Sequence, residues 1–399
     1  AFAVDTPTQV QIPLPAATSG FSLSQIVSWS LGGGGLGLNP LRLTLDFLAL
    51  DTAPILGAVL APSSTSTLSS ALTGSSGLAL NGSGTLILGA ANTFSGDVVV
   101  TQGTLQLGAT GALPTGAPLN LGTGTTLNLA GFAATLGKLE GAGNILLGSA
   151  NLSVAQSNNS TYSGAISGTG GLTKSGSGLL TLAGTHTFTG STSITGGQLR
   201  LNGSAAGSAF NVSGGTLSGN GTVGALTVAS GGTLSPGNSP GTLNASDTTW
   251  AGGGSFAFEI NQATGGTAGS SPGWDLLAIT GSLNLTATGG NPFTVGINTL
   301  TLANAAGVPA SFSDTSNYAF TFVTTTNGIV GFNSSIVNVN TSNVDGSLTG
   351  AWSLGLANSN RDLQAIYSAI PEPETYAAIF GGAALALAAY RRRRAAARS

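Results

Sequence analysis

The chain has 399 residues, of which 6% are charged, 41% are hydrophobic and 64 are glycine. Intrinsic disorder is excluded because disordered chains combine low hydrophobicity with high net charge. Disulfide frameworks and thiolate metal sites are excluded because the chain has no cysteine. Residues 1–370 carry five basic and eleven acidic side chains, so they offer no basic stripe and nucleic-acid binding is not expected.

Residues 1–75 read as a leader end, a strand and a linker. The opening AFAVDTP fits the small-x-small end of a secretory signal peptide. Residues 41–50, LRLTLDFLAL, alternate apolar and polar side chains, which predicts a half-buried strand. The Ser/Thr-rich residues 62–70 predict a loop. We expect residues 1–75 to form an N-terminal β cap and Ser/Thr linker that protects the open strand edge of the following region.

Residues 76–249 contain an internal repeat. GSGTLILGAANTFSGDVVVTQGTLQLG (82–108) aligns with GSGLLTLAGTHTFTGSTSITGGQLRLN (176–202) without gaps, with 12 of 27 positions identical. Leu-x-Leu pairs such as Leu105 and Leu107 place two side chains on one face of a strand. Glycines such as Gly103 and Gly197 flank these strands, where the backbone turns sharply. Phe94 and Phe188 are predicted core residues.

Short apolar pairs separated by Gly, Asn or Ser continue through residue 249. Spacing alone also fits a sandwich or barrel, but the repeats favour an all-β right-handed parallel β-helix, in which equivalent strands stack. With about 22 residues per turn, residues 78–250 would form about eight turns and a rod of roughly 40 Å.

The phrasing of residues 158–201 resembles the autotransporter-associated β-strand repeat, found in passenger regions of autotransporters and other exported bacterial surface proteins. GGTLSPGNSPGTL (231–243) resembles the segment that closes such arrays. This resemblance covers about residues 78–245 and implies an architecture, not an activity.

Residues 250–368 have longer strands and more aromatic residues, as in SFAFEI and YAFTFVTT. We expect a C-terminal β region, antiparallel or mixed, packed on the end of the β-helix.

Residues 369–399 follow a different pattern. Residues 376–390 are uncharged and rich in alanine and leucine; as a helix they would span about 22 Å, short of the roughly 30 Å hydrocarbon core. Interfacial tyrosines and long arginine side chains can make up part of that deficit. We therefore predict a single C-terminal transmembrane helix with a cytoplasmic arginine stop. The predicted anchor residues are Tyr376, Phe380, Leu385, Leu387 and Tyr390, and the predicted stop is Arg391, Arg392, Arg393 and Arg394.

Pro371, Glu372 and Pro373 precede this helix. Two prolines favour an extended, exposed segment, the shape that a protease requires. The order Pro-Glu-Pro, apolar helix and arginine cluster resembles the PEP-CTERM sorting signal. The resemblance implies that these three residues are recognised by an exosortase-type membrane protease and that the inner membrane is a transient anchor. Glu374 stands where serine or threonine is commoner in that signal. A permanent tail anchor is the alternative.

No catalytic residue, metal site or cofactor is predicted in the body. His186, the single histidine, aligns with Asn92 of the other repeat and is interpreted as a polar turn residue. Lys138 and Glu140 are interpreted as decorating one turn. Glu259 and Asp275 might share a metal, but no further ligand clusters with them in the sequence.

These features predict an exported structural or adhesive surface protein. The resemblances imply a Gram-negative bacterium that makes extracellular polysaccharide, and a role in its biofilm matrix. A rigid, uncharged Thr/Ser/Asn face could hydrogen-bond that polysaccharide. The alternatives are a β-helix polysaccharide lyase or hydrolase, and an autotransporter carrying its own translocation domain.

Overall fold

The computed structural model describes residues 58–370, 385–387, 390–391 and 393. The first of these segments consists of β-strands and turns, and the short C-terminal stretches are helical. The strands, in chain order, are β1 Ala58–Leu60, β2 Ser66–Leu68, β3 Leu78–Leu88, β4 Val98–Leu107, β5 Ala117–Leu121, β6 Thr126–Asn128, β7 Ala134–Gly141, β8 Asn144–Gly148, β9 Leu152–Ala155, β10 Ser160–Tyr162, β11 Ile166–Gly168, β12 Leu172–Ser175, β13 Leu179–Leu182, β14 Thr192–Ile194, β15 Gln198–Leu201, β16 Ser204–Ala205, β17 Phe210–Val212, β18 Thr216–Gly219, β19 Thr222–Val223, β20 Leu226–Val228, β21 Thr233–Pro236, β22 Thr242–Ala245, β23 Thr248–Trp250, β24 Ser255–Ile260, β25 Thr267–Ala268, β26 Gly273–Trp274, β27 Leu276–Ile279, β28 Ser282–Leu285, β29 Phe293–Thr299, β30 Tyr318–Thr325, β31 Gly328–Val330, β32 Val337–Asn343, β33 Ala351–Ala357 and β34 Asp362–Ser368.

The strands stack as a right-handed parallel β-solenoid with three faces per turn. The first face contains β1, the start of β3, the start of β4, β5, the end of β7, β10, β13, β15, β18, β21, β24, β29 and β32. The second face contains β2, the ends of β3 and β4, β6, β8, β11, β16, β19, β22, β27 and β30. The third face contains the start of β7, β9, β12, β14, β17, β20, β23, β28 and β31. The predicted parallel β-helix is thus confirmed.

Turn length varies along the solenoid. Asn211 pairs with Thr227, 16 residues on, and Thr227 pairs with Thr249, 22 residues on. Beyond this point the turns enlarge, because Thr249 pairs with Asn284, 35 residues on. Most turns before residue 250 are therefore slightly shorter than the expected 22 residues.

Leucines fill the interior as the alternation predicts. Leu105, Leu107, Leu180 and Leu182 are at most 1% exposed, and they stack on leucine or isoleucine neighbours one turn away. Phe94 is also buried. The stacked apolar side chains form one continuous core, whose burial is the main favourable contribution to folding.

Two equivalent glycines show why the repeat needs this residue at its corners. Gly103 and Gly197 have φ values of 75° and 60°. A Cβ at these positions would lie 2.1 Å from the Gly82 carbonyl oxygen and 2.3 Å from that of Gly176, respectively. The preceding turn therefore leaves no space for a side chain.

The parallel ladders do not end where the composition changes near Trp250. β23 pairs with β28, and the first-face ladder runs from β24 through β29 to β32. Antiparallel ladders of several residues form only where β30 pairs with β34 and β34 with β33, among the described strands. The C-terminal region is therefore mixed, but much of it continues the solenoid. Alternating side chains do not reveal whether a strand's partner is parallel, which is why sequence reasoning placed a boundary here.

Aromatic residues fill the wider C-terminal turns. Trp250 on the third face stacks on Phe293 of the first face at 4.4 Å between ring centroids, and Phe322 of the second face lies 6.5 Å from Trp250. Larger side chains thus replace leucine where the turns lengthen.

The N-terminal prediction is tested only in part. Residues 41–50 lie outside the described residues. Ser66–Leu68, predicted as part of a loop, is instead strand β2 and pairs in parallel with β3. The correction has a simple reason: Ser and Thr are compatible with outward strand positions, and Leu68 supplies the buried side chain.

Candidate functional site

The predicted sorting and membrane residues are only partly described. Outside the described residues lie Pro371, Glu372, Pro373, Tyr376, Phe380, Arg392 and Arg394. Helical and exposed are Leu385, Leu387, Tyr390, Arg391 and Arg393. Within the described part of the chain, no helix is long and apolar enough to cross a membrane. The sorting motif, the membrane helix and the arginine stop therefore stay predictions.

His186 and Asn92 perform the same structural task in the two repeats. The Asn92 side-chain oxygen accepts the Leu72 N–H at 2.7 Å, and His186 Nδ1 accepts the Ile166 N–H at 3.2 Å. In both cases the donor lies 20 residues earlier, on the preceding turn. Burial lowers the pKa of His186 to about 4. A buried neutral imidazole that accepts a backbone N–H connects adjacent turns and is not positioned as a general base.

Lys174 is the buried cation of the solenoid. Its side chain is 0% exposed, and Nζ donates to the carbonyl oxygens of Ser175 at 2.6 Å and Gly176 at 3.0 Å. Burial lowers the pKa of the amine. The ammonium thus satisfies carbonyl groups at a glycine corner, a role that the sequence pattern did not reveal.

Glu259 and Asp275 lie together, as sequence reasoning considered. Asp275 is 0% exposed; its Oδ1 accepts the Gly241 N–H at 3.0 Å and its Oδ2 accepts the Glu259 N–H at 2.9 Å. Burial, with the nearby charge of Glu259, raises the pKa of Asp275 well above its usual range. Burial also raises the pKa of Glu259, whose side chain hydrogen-bonds Ser239.

Both Asp275 oxygens are therefore engaged by backbone donors. This carboxyl group fastens the turn preceding β22 to strand β24, and its geometry is that of a structural connection rather than of a metal ligand. No group of three or more metal-binding side chains occurs among the described residues.

The outer surface differs from face to face. On the first face, Lys138 forms an ion pair with Glu140, and Asn120 Nδ2 donates to Glu140 at 3.3 Å. Side chains on this face also pair with each other further along, as Gln198 does with Ser218 at 2.8 Å. Lys138 and Glu140 thus stabilise neighbouring turns, as sequence reasoning indicated.

The third face carries an aligned series of small polar side chains, here termed the polar row. Strand register places its members directly above one another on successive turns, and each points outward between two buried residues. The polar row consists of Ser153, Thr173, Ser193, Asn211, Thr227 and Thr249. Sequence reasoning expected a Thr/Ser/Asn face without naming its residues, because the unequal turn lengths hide their alignment.

The fold and the repeats define an autotransporter-like repeat β-solenoid. Residues 78–107 and 172–201 match the family model of the passenger-associated-transport-repeat. The predicted autotransporter-associated repeats are confirmed for these two segments.

Two curated proteins are similar to parts of the chain. A 69-residue segment is 48% identical to an extracellular serine protease of Serratia marcescens, and covers 17% of this chain and 7% of that protein. A 73-residue segment is 40% identical to the adhesin BmaC autotransporter of Brucella suis biovar 1 (strain 1330), and covers 18% of this chain and 2% of that protein. The chain thus spans only a small fraction of either relative, and the likeness concerns repeat units.

The two matched segments do not occupy the same faces. Leu86 lies on the second face and its repeat equivalent Leu180 on the first, because the segments are separated by a non-integral number of turns. The repeat therefore specifies a strand-and-corner unit that fits any face of the coil.

Proposed function

We propose that this chain is an exported, passenger-like β-solenoid with a structural or adhesive role at the bacterial cell surface or in the extracellular matrix. The observation that carries this proposal is the continuous stack of parallel turns built from passenger-type repeats. The printed description of one relative as an adhesin supports the same role. A rigid rod with a long lateral surface suits binding to an extended partner.

The sorting route is a further part of the proposal. The Pro371-Glu372-Pro373 segment, the apolar helix and the arginine cluster would hold the protein at the inner membrane until an exosortase-type protease releases it. Association with exopolysaccharide in a biofilm matrix follows from the same resemblance. The support for this part is the sequence pattern of residues 371–394.

The experiment that tests sorting is an intact-mass measurement on surface-exposed protein from cells with and without the sorting protease. We expect loss of the segment from about residue 371 to residue 399 only when the protease is present. Alanine at Pro371, Glu372 and Pro373 should block this loss, whereas Glu374→Ala is the matched control and should be processed. An unprocessed surface protein in both strains would refute this route.

A proteolytic function is not supported by the geometry, although one relative is described as a serine protease. In a Ser-His-Asp triad the imidazole Nδ1–H donates to the acid and Nε2 accepts from the serine. Here His186 Nδ1 is an acceptor from a backbone N–H and the ring is 3% exposed. The 48% identical segment corresponds to 7% of that relative and so does not transfer its activity.

The second candidate is a polysaccharide lyase or hydrolase that uses Glu259. The observation in its favour is that burial raises the pKa of Glu259 beside a second buried acid, as in general-acid sites. The test is release of shortened chains from a polysaccharide, with Glu259→Gln as the inactive variant. Turnover that Glu259→Gln abolishes would replace the non-enzymatic proposal.

A further inference from the structure

The polar row presents a regular series of hydrogen-bonding groups along the solenoid axis. Adjacent members are about 4.8 Å apart because they occupy neighbouring parallel strands, so the six residues extend over roughly 24 Å. Asn211 is exposed and the other five side chains are half-buried. Each hydroxyl group can donate one hydrogen bond and accept two, and the amide can do both.

These side chains make no hydrogen bond with any other described residue, to judge from every side-chain hydrogen bond between residues 58 and 370. Other outward polar residues behave differently: Gln198 pairs with Ser218, and Thr233 with Ser255 at 2.9 Å. The donors and acceptors of the polar row are thus available to an external partner.

The positions flanking the polar row keep the face flat. On one side lie small residues such as Gly171, Ser191 and Ala209, whose carbonyl groups join successive third-face strands. On the other side lie Ser213 and Ala229 at equivalent positions. An extended ligand can therefore approach several turns at once without meeting a large side chain.

The face is also nearly uncharged. Among the described outward positions flanking the polar row, Asp247 is the charged one, beside Thr249 at one end. The first face, by contrast, carries Lys138, Glu140 and Arg200. A face with one acid and no base does not attract an anionic polymer, but it complements a neutral ligand rich in hydroxyl groups.

We propose that the polar row binds a neutral polysaccharide laid along the solenoid axis. This inference rests on the proposed extracellular role and identifies the surface and the chemical class of the partner. The ligand hydroxyl groups exchange hydrogen bonds with side chains on successive turns, and the flat flanking positions contact the apolar faces of the sugar rings. Affinity comes from the sum of several weak contacts along one rigid support.

The test measures depletion of the purified full-length chain by insoluble cellulose and its retardation in gels containing dextran, two neutral polymers. The first variant combines Thr173→Val, Thr227→Val and Thr249→Val, which keeps the side-chain shape and removes the hydroxyl groups. Because each lost hydrogen bond weakens binding roughly 2- to 10-fold, we expect at least a ~10-fold loss of affinity. The matched control combines Thr161→Val, Thr181→Val and Thr216→Val on the first face and should bind like the unmodified chain.

A second variant, Thr173→Arg, tests flatness independently of the hydroxyl groups. A long charged side chain in the centre of the face would hold the polymer away, so the same ~10-fold loss is expected. Circular dichroism and the unfolding midpoint verify that each variant is folded.

Several results would overturn the inference. They are failure of the unmodified chain to bind either neutral polymer, equal losses from the first-face control, and tighter salt-sensitive binding to anionic alginate. A dimer that the third-face variants dissociate, with polymer binding unchanged, would identify a second copy of the chain as the partner instead. The intact-mass experiment reports on sorting separately, so failure of either proposal can be recognised on its own.

Discussion

Replacement of His186 by asparagine should remove a specific pH dependence from the stability of the solenoid. The equivalent residue of the other repeat is already asparagine: Asn92 accepts the Leu72 N–H at 2.7 Å and donates to the Ala112 carbonyl at 2.5 Å. His186→Asn should therefore preserve the hydrogen bond from the Ile166 N–H while deleting the titratable group.

The magnitude follows from the pKa. Burial lowers the pKa of His186 to about 4, against 6.5 for an exposed imidazole. Between these two values the unfolded chain binds a proton that the folded chain excludes, so unfolding is favoured as the pH falls. The contribution of the neutral imidazole is complete above pH 6.5 and is lost toward pH 4, a change of about 3 kcal/mol in the free energy of unfolding.

The assay compares denaturant unfolding of the unmodified chain and His186→Asn at pH 7 and pH 4. Carboxyl groups also titrate over this interval, but they affect both proteins alike, so the difference between the two chains isolates the histidine. We expect His186→Asn to gain about 3 kcal/mol relative to the unmodified chain between pH 7 and pH 4. A relative change below about 1 kcal/mol would show that the imidazole is not held neutral by burial.

Three further substitutions test the architecture through the free energy of unfolding. Leu180→Ala should cost roughly 2–5 kcal/mol because it opens a cavity in the continuous core, whereas Thr181→Ala on the outer side should stay within about 0.5 kcal/mol; similar costs would contradict the assigned strand faces. Gly197→Ala should destabilise the fold more than Gly124→Ala, since both have positive φ but only the former would bring a Cβ within 2.3 Å of a neighbouring carbonyl oxygen. Asp275→Ala should cost at least about 2 kcal/mol, because it leaves two backbone N–H groups without their acceptor; an unchanged denaturation midpoint would show that this carboxyl group is not a structural connection.

The solenoid itself was predictable because its signal is local. Leu105 and Leu107 show the period of a strand, and Gly103 marks a corner where a side chain would collide with the preceding turn. The equivalence of His186 and Asn92 was also visible in the aligned repeats. Their hydrogen bonds to the preceding turn were not visible, because each joins residues 20 positions apart.

The continuation of the parallel ladders beyond Trp250 was missed for a related reason. The turns there require 35 residues or more, as between Thr249 and Asn284, and an inserted loop interrupts the spacing. Lys174 likewise gave no sequence signal, because its buried amine is stabilised by carbonyl groups that any residue could supply.

The sequence by itself determined that this protein is built from short strands with an apolar and a polar side, joined at glycine corners, because alternation and chain reversal are properties of neighbouring residues. Only the tertiary structure decided which strands share a face. Turns of 16–22 residues bring Asn211, Thr227 and Thr249 into one line although their separations differ. That alignment depends on how each corner closes against the turn before it, which is a property of the stacked coil and not of any single segment.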